Sequence, residues 1–292
     1  MRTDGSHGPG VIRSRIRHGS RTRTWRPLRQ SDKLRLLTRI VMHLVPGIWI
    51  AAAGVVLGVA IGATGIGGVL LVPILTLALG IDVKRAIAAA LLSYVPSCMV
   101  AVALYARRGS IPWREASLLC LAALPTAWLG ARATNLAPAG VLEVAIGVLL
   151  LLGGVYALCP PRRVPLERVS LKPAMLLGLG GGTGFVSAMT GAGGAFVLLP
   201  LLLLLDVPVL AAIGLGQAIA IPIAGPASLV NLAAGLVDLW LAAVLGITLA
   251  LGIAVGTPIA HALPQRLLRR LLGTVVVLAG IAMLLRTAVR LL

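Results

Sequence analysis

Two glycine-rich breaks interrupt sequence that is otherwise apolar enough to lie in a lipid bilayer. They cover residues 64–68 (TGIGG) and 190–194 (TGAGG), at matching places in the two halves of the chain. Lipid offers no hydrogen-bond partners, so backbone that leaves a helix at that depth persists only against protein or a wet cavity. Paired interruptions of this kind point to the substrate site of a transporter.

Composition predicts an all-α polytopic membrane protein. Of 292 residues, 59% are hydrophobic and 12% are charged, and the mean hydropathy is +1.02. A soluble domain carries about 25% charged residues, so this chain falls outside the soluble class. Several apolar stretches also reach the roughly 20 residues that a helix needs to cross a bilayer.

The basic residues are concentrated at the start of the chain. Eleven of the 26 Lys and Arg fall within residues 1–39. Basic flanks are retained on the cytoplasmic side and are attracted to anionic lipid head groups. We therefore expect residues 1–44 to form a disordered cytoplasmic tail whose partner is the bilayer and not nucleic acid.

The two halves of the chain align with each other at an offset of 126 residues. The alignment predicts a first transmembrane repeat over residues 45–159, a cytoplasmic linker over 160–173 and a second repeat over 174–292. The matched residues include Gly54 and Gly180, Gly58 and Gly184, Thr64 and Thr190, Gly67 and Gly193, and Pro96 and Pro222.

The apolar segments at 69–81 and 195–205 are too short to cross a membrane. As helices they rise about 20 Å and 17 Å, against a bilayer core of about 30 Å. We expect half-helices that turn back, which gives about four spans in each half, parallel repeats and two cytoplasmic termini. That count places nine basic residues beyond the tail inside and six outside, whereas five spans place five inside and ten outside. The positive-inside rule favours the first count.

The glycine turns are the predicted substrate site. Consecutive backbone N–H groups in such a turn form an anion-binding nest, and the N-terminus of the following helix adds partial positive charge. The alternative for these turns is close helix packing through small residues, which is the interpretation that we favour for Gly54, Gly58, Gly180 and Gly184. The predicted ligands of a small anion in the turns are Thr64, Gly65, Gly67, Gly68, Thr190, Gly191, Gly193 and Gly194.

Further candidates are polar or helix-breaking residues within the apolar segments. Gln217 and Ser93 are predicted to line the site, because burying a polar group in a membrane costs free energy. The alternative for a serine is a hydroxyl bonded to the preceding helical turn. Ser97, Ser228 and Asn231 are weaker candidates of the same kind. Possible hinges, or mere kinks, are Pro73, Pro96, Pro200 and Pro222.

Other chemistries lack their sequence signatures. Only one acidic residue, Glu143, lies inside a span, so the sequence does not indicate a proton relay through carboxylates. The cysteines and histidines show no metal-ligand spacing, and neither HExxH nor GxSxG occurs. We expect no enzyme activity, no cofactor and no metal; the coupling ion and the oligomeric state are left open.

Residues 46–290 resemble the TauE/SafE family of sulfite exporter–like membrane proteins. The resemblance rests on Gly65-Ile66-Gly67-Gly68 with Val72-Pro73, on Gly191-Ala192-Gly193-Gly194 with Leu199-Pro200, and on Arg107-Arg108-Gly109-Ser110-Ile111, echoed by Gly235-Leu236-Val237-Asp238. It implies transport, usually export, of sulfite, sulfonates or related small anions. It also implies a bacterial inner-membrane location. The alternative function is a membrane scaffold or assembly factor that transports nothing.

Overall fold

The computed structural model describes residues 49–158, 171–262 and 265–291. The expected N-terminal tail and most of the expected linker lie outside these residues. Within the described ranges the chain forms ten helices and no strand, which confirms the all-α class, and six of the helices are long and apolar enough to cross a membrane. The helices are α1 (Trp49–Thr64), α2 (Gly67–Ala78), α3 (Val83–Arg107), α4 (Trp113–Leu136), α5 (Ala139–Leu158), α6 (Pro173–Thr190), α7 (Gly194–Leu204), α8 (Val209–Ala233), α9 (Leu239–Ala262) and α10 (Gln265–Leu291).

Helices α3 and α8 form the centre of the bundle. They bury 56% and 61% of their most apolar stretch inside the protein, whereas α10 buries 28%. Both are rich in alanine, and α8 also contains glycines, so neighbouring backbones can approach closely. The Asp82 carboxylate fixes the start of α3 by accepting hydrogen bonds from the backbone N–H groups of Lys84 (3.0 Å) and Arg85 (3.4 Å).

The chain leaves helical structure at both glycine-rich sites, as the sequence predicts. Helix α1 ends at Thr64, and α2 starts at Gly67 as a 3₁₀ turn that becomes π-helical after Pro73. Proline lacks a backbone N–H and crowds the carbonyl four residues earlier, so the hydrogen-bond register changes around it. In the second half α6 ends at Thr190 and the 11-residue α7 starts at Gly194.

Helices α1, α3 and α9 run in the same direction. A Cβ placed on Gly58 would lie 2.9 Å from Gly252 Cα, and one on Gly62 would lie 3.0 Å from Thr257 N, so positions advance together along α1 and α9. Helix α3 follows the same course, since Pro96 contacts Gly246 and Arg108 Nη1 donates to Thr257 O (3.0 Å). Helix α2, which joins α1 to α3, therefore runs back between them.

The connections at one end of the bundle show that α8 runs opposite to α3. The loop that follows α3 contacts the start of α8, with Gly214 lying 3.1 Å (from its Cβ position) from both Ser110 O and Ile111 Cγ1. A single cavity is lined by the α3–α4 connection and by the α7–α8 connection, including Val207 and Pro208. The four-span count places these two connections on opposite sides of the membrane.

The prediction that the α3–α4 and α7–α8 connections lie on opposite sides of the membrane, which follows from four spans in each half, is therefore wrong. The physical reason is the depth of the first break. Gly67 lies beside Leu57 O and Ile61 N, part-way along α1, so the 12 residues of α2 suffice to reach the end of the bundle where α3 begins. A length criterion alone cannot detect this, because it assumes that every segment starts at the membrane surface.

Candidate substrate site

Both glycine turns use backbone that side chains disfavour. Gly65 has a φ of +75°, and Gly191 and Gly193 have φ values of +67° and +77°. Glycine reaches this left-handed region without steric cost. The helices that follow the turns, α2 and α7, start without a side-chain cap. The first N–H groups of a helix have no partner within it, and here no N-cap side chain accepts from them.

The structure brings the two turns together. A Cβ on Gly68 would lie 3.6 Å from Ala192 O, and one on Gly65 would lie 3.5 Å from Ala195 Cβ. Gly191 in turn lies against Val72 of α2, at 2.9 Å from its Cβ position to Cγ2. The glycines expected to form the site in each half are thus neighbours in space, although about 126 residues separate them in the sequence.

A tyrosine that the sequence analysis did not select lies between the turns. The Tyr94 hydroxyl of α3 donates to Gly68 O (2.6 Å) and lies 3.3 Å from Gly191 O, and the residue is 3% exposed. A buried tyrosine hydroxyl needs a hydrogen-bond partner. A tyrosine in an apolar span was therefore the one signal in the sequence that could have pointed to Tyr94. Sequence position could not reveal that its partners are both turns.

The two threonines do not direct their hydroxyl protons into the site. Thr64 Oγ1 donates to Ala60 O (2.8 Å) and accepts from Ile66 N (3.3 Å), while Thr190 Oγ1 donates to Val186 O (2.7 Å). Each hydroxyl therefore satisfies backbone groups at the end of its own helix. The expectation that they add donors for an anion is wrong for this conformation.

Gln217 supports the first turn from across the bundle. This α8 residue is 1% exposed, and its Nε2 donates to Ile61 O (3.2 Å), the same oxygen that accepts from Gly65 N (2.8 Å). Its predicted place near the site is consistent with this contact. Ser93 instead donates to Ala90 O (2.7 Å). Its hydroxyl is thus bonded to the preceding helical turn, which was the alternative to lining the site.

The four prolines lie inside helices that continue past them. Pro73 and Pro200 are in the short helices α2 and α7, whereas Pro96 and Pro222 are near the middles of α3 and α8. Pro96 packs its ring against Gly246 of α9, at 2.9 Å from the Cβ position of that glycine. The hinge role of these residues stays a prediction.

Two of the weaker candidates are buried without a partner. Asn231 is 1% exposed with both amide atoms unpaired, and Ser228, one turn earlier on α8, is 2% exposed with an unpaired hydroxyl. Glu143 of α5 is by contrast well satisfied: it accepts from Thr287 Oγ1 (2.9 Å) and pairs with Arg290 Nη1 (2.9 Å). Among the described side chains that are buried, Glu143 is the one with a charge.

A cavity of about 450 Å³ opens near one end of the bundle. Its walls are mostly apolar and include Trp113, Glu115 and Leu171, and its floor includes Leu215, which is 1% exposed. None of the lining residues belongs to a glycine turn, so this cavity is adjacent to the turns and separate from them. The residue after Leu215, Gly216, lies 2.6 Å (from its Cβ position) from Ala195 Cα at the start of α7.

An all-helical membrane protein whose broken helices meet at a buried centre has the architecture of a membrane transporter. The chain belongs to the TauE/SafE family, because the family model described as sulfite exporter TauE/SafE matches residues 27–139 and 50–283. It is also 24% identical over 246 residues to the probable membrane transporter protein YjnA of Bacillus subtilis (strain 168), covering 79% of this chain and 97% of that protein. No solved structure matches the chain.

Proposed function

We propose that this membrane transporter is a secondary transporter of small anions such as sulfite, sulfonates or related organic anions. The substrate binds where the two glycine turns meet. One observation carries the proposal: both turns precede a helix without a side-chain cap, and a Cβ on Gly68 of the first turn would come within 3.6 Å of Ala192 O in the second.

Backbone groups supply the attraction for an anion in this proposal. The N-terminus of a helix carries about half a positive charge, together with N–H groups that have no partner in the helix. Two such ends close together favour negative charge without a buried lysine or arginine, and no described lysine or arginine is buried. The arrangement suits a compact oxyanion, whose several oxygens accept hydrogen bonds from both ends.

We also propose that the halves are inverted repeats. Helices α3 and α8 both have 25 residues and begin 126 positions apart, at 83 and 209, while their directions are opposite. Helices α4 and α9 both have 24 residues and begin at 113 and 239. In transporters of this kind the substrate lies at the interface of the repeats, and rocking of one against the other exposes it alternately to each side.

The cavity near Leu215 supports a route to the site from one end of the bundle. Its volume of about 450 Å³ is within the range of small-molecule sites, about 300–1,000 Å³. The end of α5 and the start of α6 belong to the same end, where Leu171 lines the cavity, whereas α1 begins at the other. We propose that both termini are cytoplasmic in a bacterial inner membrane, because the eleven basic residues of 1–39 then lie inside. Beyond that tail, this arrangement places five basic residues inside and ten outside, so the tail decides the orientation.

The proposal is tested by anion counterflow in proteoliposomes with a matched pair of glycine variants. Gly193→Ala and Gly235→Ala both place a side chain at a positive φ, of +77° and +68°. Gly193 also has a ψ of 142°, backbone that is nearly restricted to glycine. Gly235 has open space around it and lies in the α8–α9 connection. We expect Gly193→Ala to abolish sulfite or sulfonate counterflow and Gly235→Ala to retain it. Size-exclusion profiles establish that both variants are folded.

Equal counterflow in the two variants would remove the turns from the site. Counterflow that is absent from the unmodified protein for sulfite, sulfate, sulfonates and small carboxylates, together with stoichiometric co-purification of a partner, would support the scaffold alternative instead.

A further inference from the structure

We propose that Tyr94 is the gating residue of the anion site, an inference that rests on the proposed function. Its hydroxyl ties the two glycine turns together when the site is empty. An entering anion then takes the hydroxyl as a donor in place of Gly191 O, which frees the turns to separate.

The geometry places one donor between two acceptors that belong to different halves of the chain. The Tyr94 oxygen is 2.6 Å from Gly68 O and 3.3 Å from Gly191 O. A phenol has one hydroxyl proton, so the shorter bond dominates and the longer one is the weaker link. The contact to Gly191 is therefore the one that an anion oxygen can replace at least cost.

The ring of Tyr94 also fills the place that the glycines leave empty. A Cβ on Gly68 would lie 3.2 Å from the Tyr94 oxygen, and one on Gly193 would lie 3.6 Å from ring carbon Cε2. Tyr94 is 3% exposed. A ligand that reaches both helix starts must therefore displace the hydroxyl or bind to it.

Tyr94 has no counterpart in the other half of the chain, unlike most residues that form the breaks. The glycines of the turns, their threonines and the mid-helix prolines each recur at the offset of 126, but position 220 is Ala220. Gln217, which supports the first turn, is likewise not duplicated, since position 91 is Leu91, but it bonds to one turn only. A single hydroxyl that binds both turns instead suits a switch, because its release acts on the two halves together.

The test uses a cysteine reporter in the second turn. Cys98, Cys120 and Cys159 are replaced by alanine, and Ala192, which is 2% exposed, is changed to cysteine. The rate of modification by a small methanethiosulfonate is measured in proteoliposomes without anion. We expect Tyr94→Phe, which keeps the ring and removes the donor, to raise that rate about tenfold, the equivalent of about 1.4 kcal/mol.

The matched control is Tyr105→Phe. Tyr105 is a second buried tyrosine on α3, and its hydroxyl donates to Gly62 O (2.8 Å) before the first turn. This variant loses a hydrogen bond to α1 but leaves both turns tied, so its modification rate should stay within about twofold. If Tyr94→Phe does not fold, Gly68→Ala displaces the hydroxyl of an intact Tyr94 and should raise the rate in the same way.

Transport by the same variants separates this inference from the proposed function. Tyr94→Phe should raise the KM for anion counterflow about tenfold without lowering kcat, since a donor to the anion is lost while opening becomes easier. An unchanged modification rate and an unchanged KM would overturn the gating role and leave the anion site intact. Failure of the unmodified protein to carry any anion would overturn the proposed function itself.

Discussion

At the residue scale, polar side chains around the site mainly support the backbone that forms the turns. Gln217 donates to Ile61 O, Thr64 accepts from Ile66 N, and Ser187 Oγ donates to Gly193 O (3.3 Å). Polar atoms inside a membrane protein need partners, and here the partners are carbonyl and N–H groups next to each break. The helix ends consequently keep fixed positions although they have left the regular hydrogen-bond pattern.

The contribution of Gln217 to the stability of the protein can be measured. Gln217→Leu removes the hydrogen bond to Ile61 O, but that oxygen still accepts from Gly65 N, so no carbonyl is left unpaired. We expect the free energy of unfolding to fall by about 1 kcal/mol, visible as a lower thermal midpoint in detergent. Ser93→Ala removes a hydrogen bond within α3 alone and should change the free energy of unfolding by less than about 0.5 kcal/mol. Equal effects in the two variants would show that Gln217 does not support the turn.

The sequence predicted the breaks but not the residue between them. Glycine clusters inside apolar segments have a direct physical meaning, because the backbone there must leave the helix. Tyr94 has no such local signature. Its partners lie 26 and 97 residues away, and only the folded arrangement brings their carbonyl groups to one hydroxyl.

At the element scale, close packing of glycine-bearing helices holds the broken helices in place. Helix α1 packs on α9 and α6 packs on α4, through glycines that would clash if they carried a Cβ. This confirms the packing role predicted for Gly54, Gly58, Gly180 and Gly184. The side of the membrane at which α2 and α7 end was mispredicted, since segment length does not reveal the depth at which a segment starts.

One pair of glycine variants tests this packing. A Cβ on Gly252 would clash with Val55 O and lie 2.8 Å from Gly58 Cα, whereas Gly225, also in a helix, has nothing within 4 Å. We expect Gly252→Ala to destabilise the protein by about 1–3 kcal/mol because two backbones must move apart. Gly225→Ala should be neutral or stabilising by up to about 1 kcal/mol. Thermal midpoints in detergent provide the comparison, and a stable Gly252→Ala variant would contradict the close approach of α1 and α9.

At the scale of the whole molecule, opposite directions of the two halves determine which connections share a membrane side. The α3–α4 and α7–α8 connections line one cavity, and the end of α8 lies at the opposite end of the bundle. In the proposed inverted arrangement, both broken helices come to one central place. The family match and the six membrane-length helices establish a multi-pass transporter, and the inverted relation is our proposal for how it works.

Cysteine labelling of intact cells distinguishes the two topologies. Single cysteines are placed at Ser110, Asp206 and Ala234 in a chain without native cysteines, and an impermeant thiol reagent is applied from outside. The inverted arrangement predicts that positions 110 and 206 respond alike and that position 234 responds oppositely. Parallel repeats predict that 110 and 234 respond alike, so that result would contradict the proposed relation.

The most direct measurement of the shared site is protection of both turns by one anion. Single cysteines replace Ile66 in the first turn and Ala192 in the second, which are 6% and 2% exposed, and modification is followed at increasing sulfite or sulfonate concentrations. We expect the transported anion to slow modification at both positions with the same half-protecting concentration, because one ligand contacts both turns. Protection of only one position, or of neither at concentrations that saturate transport, would contradict a common site.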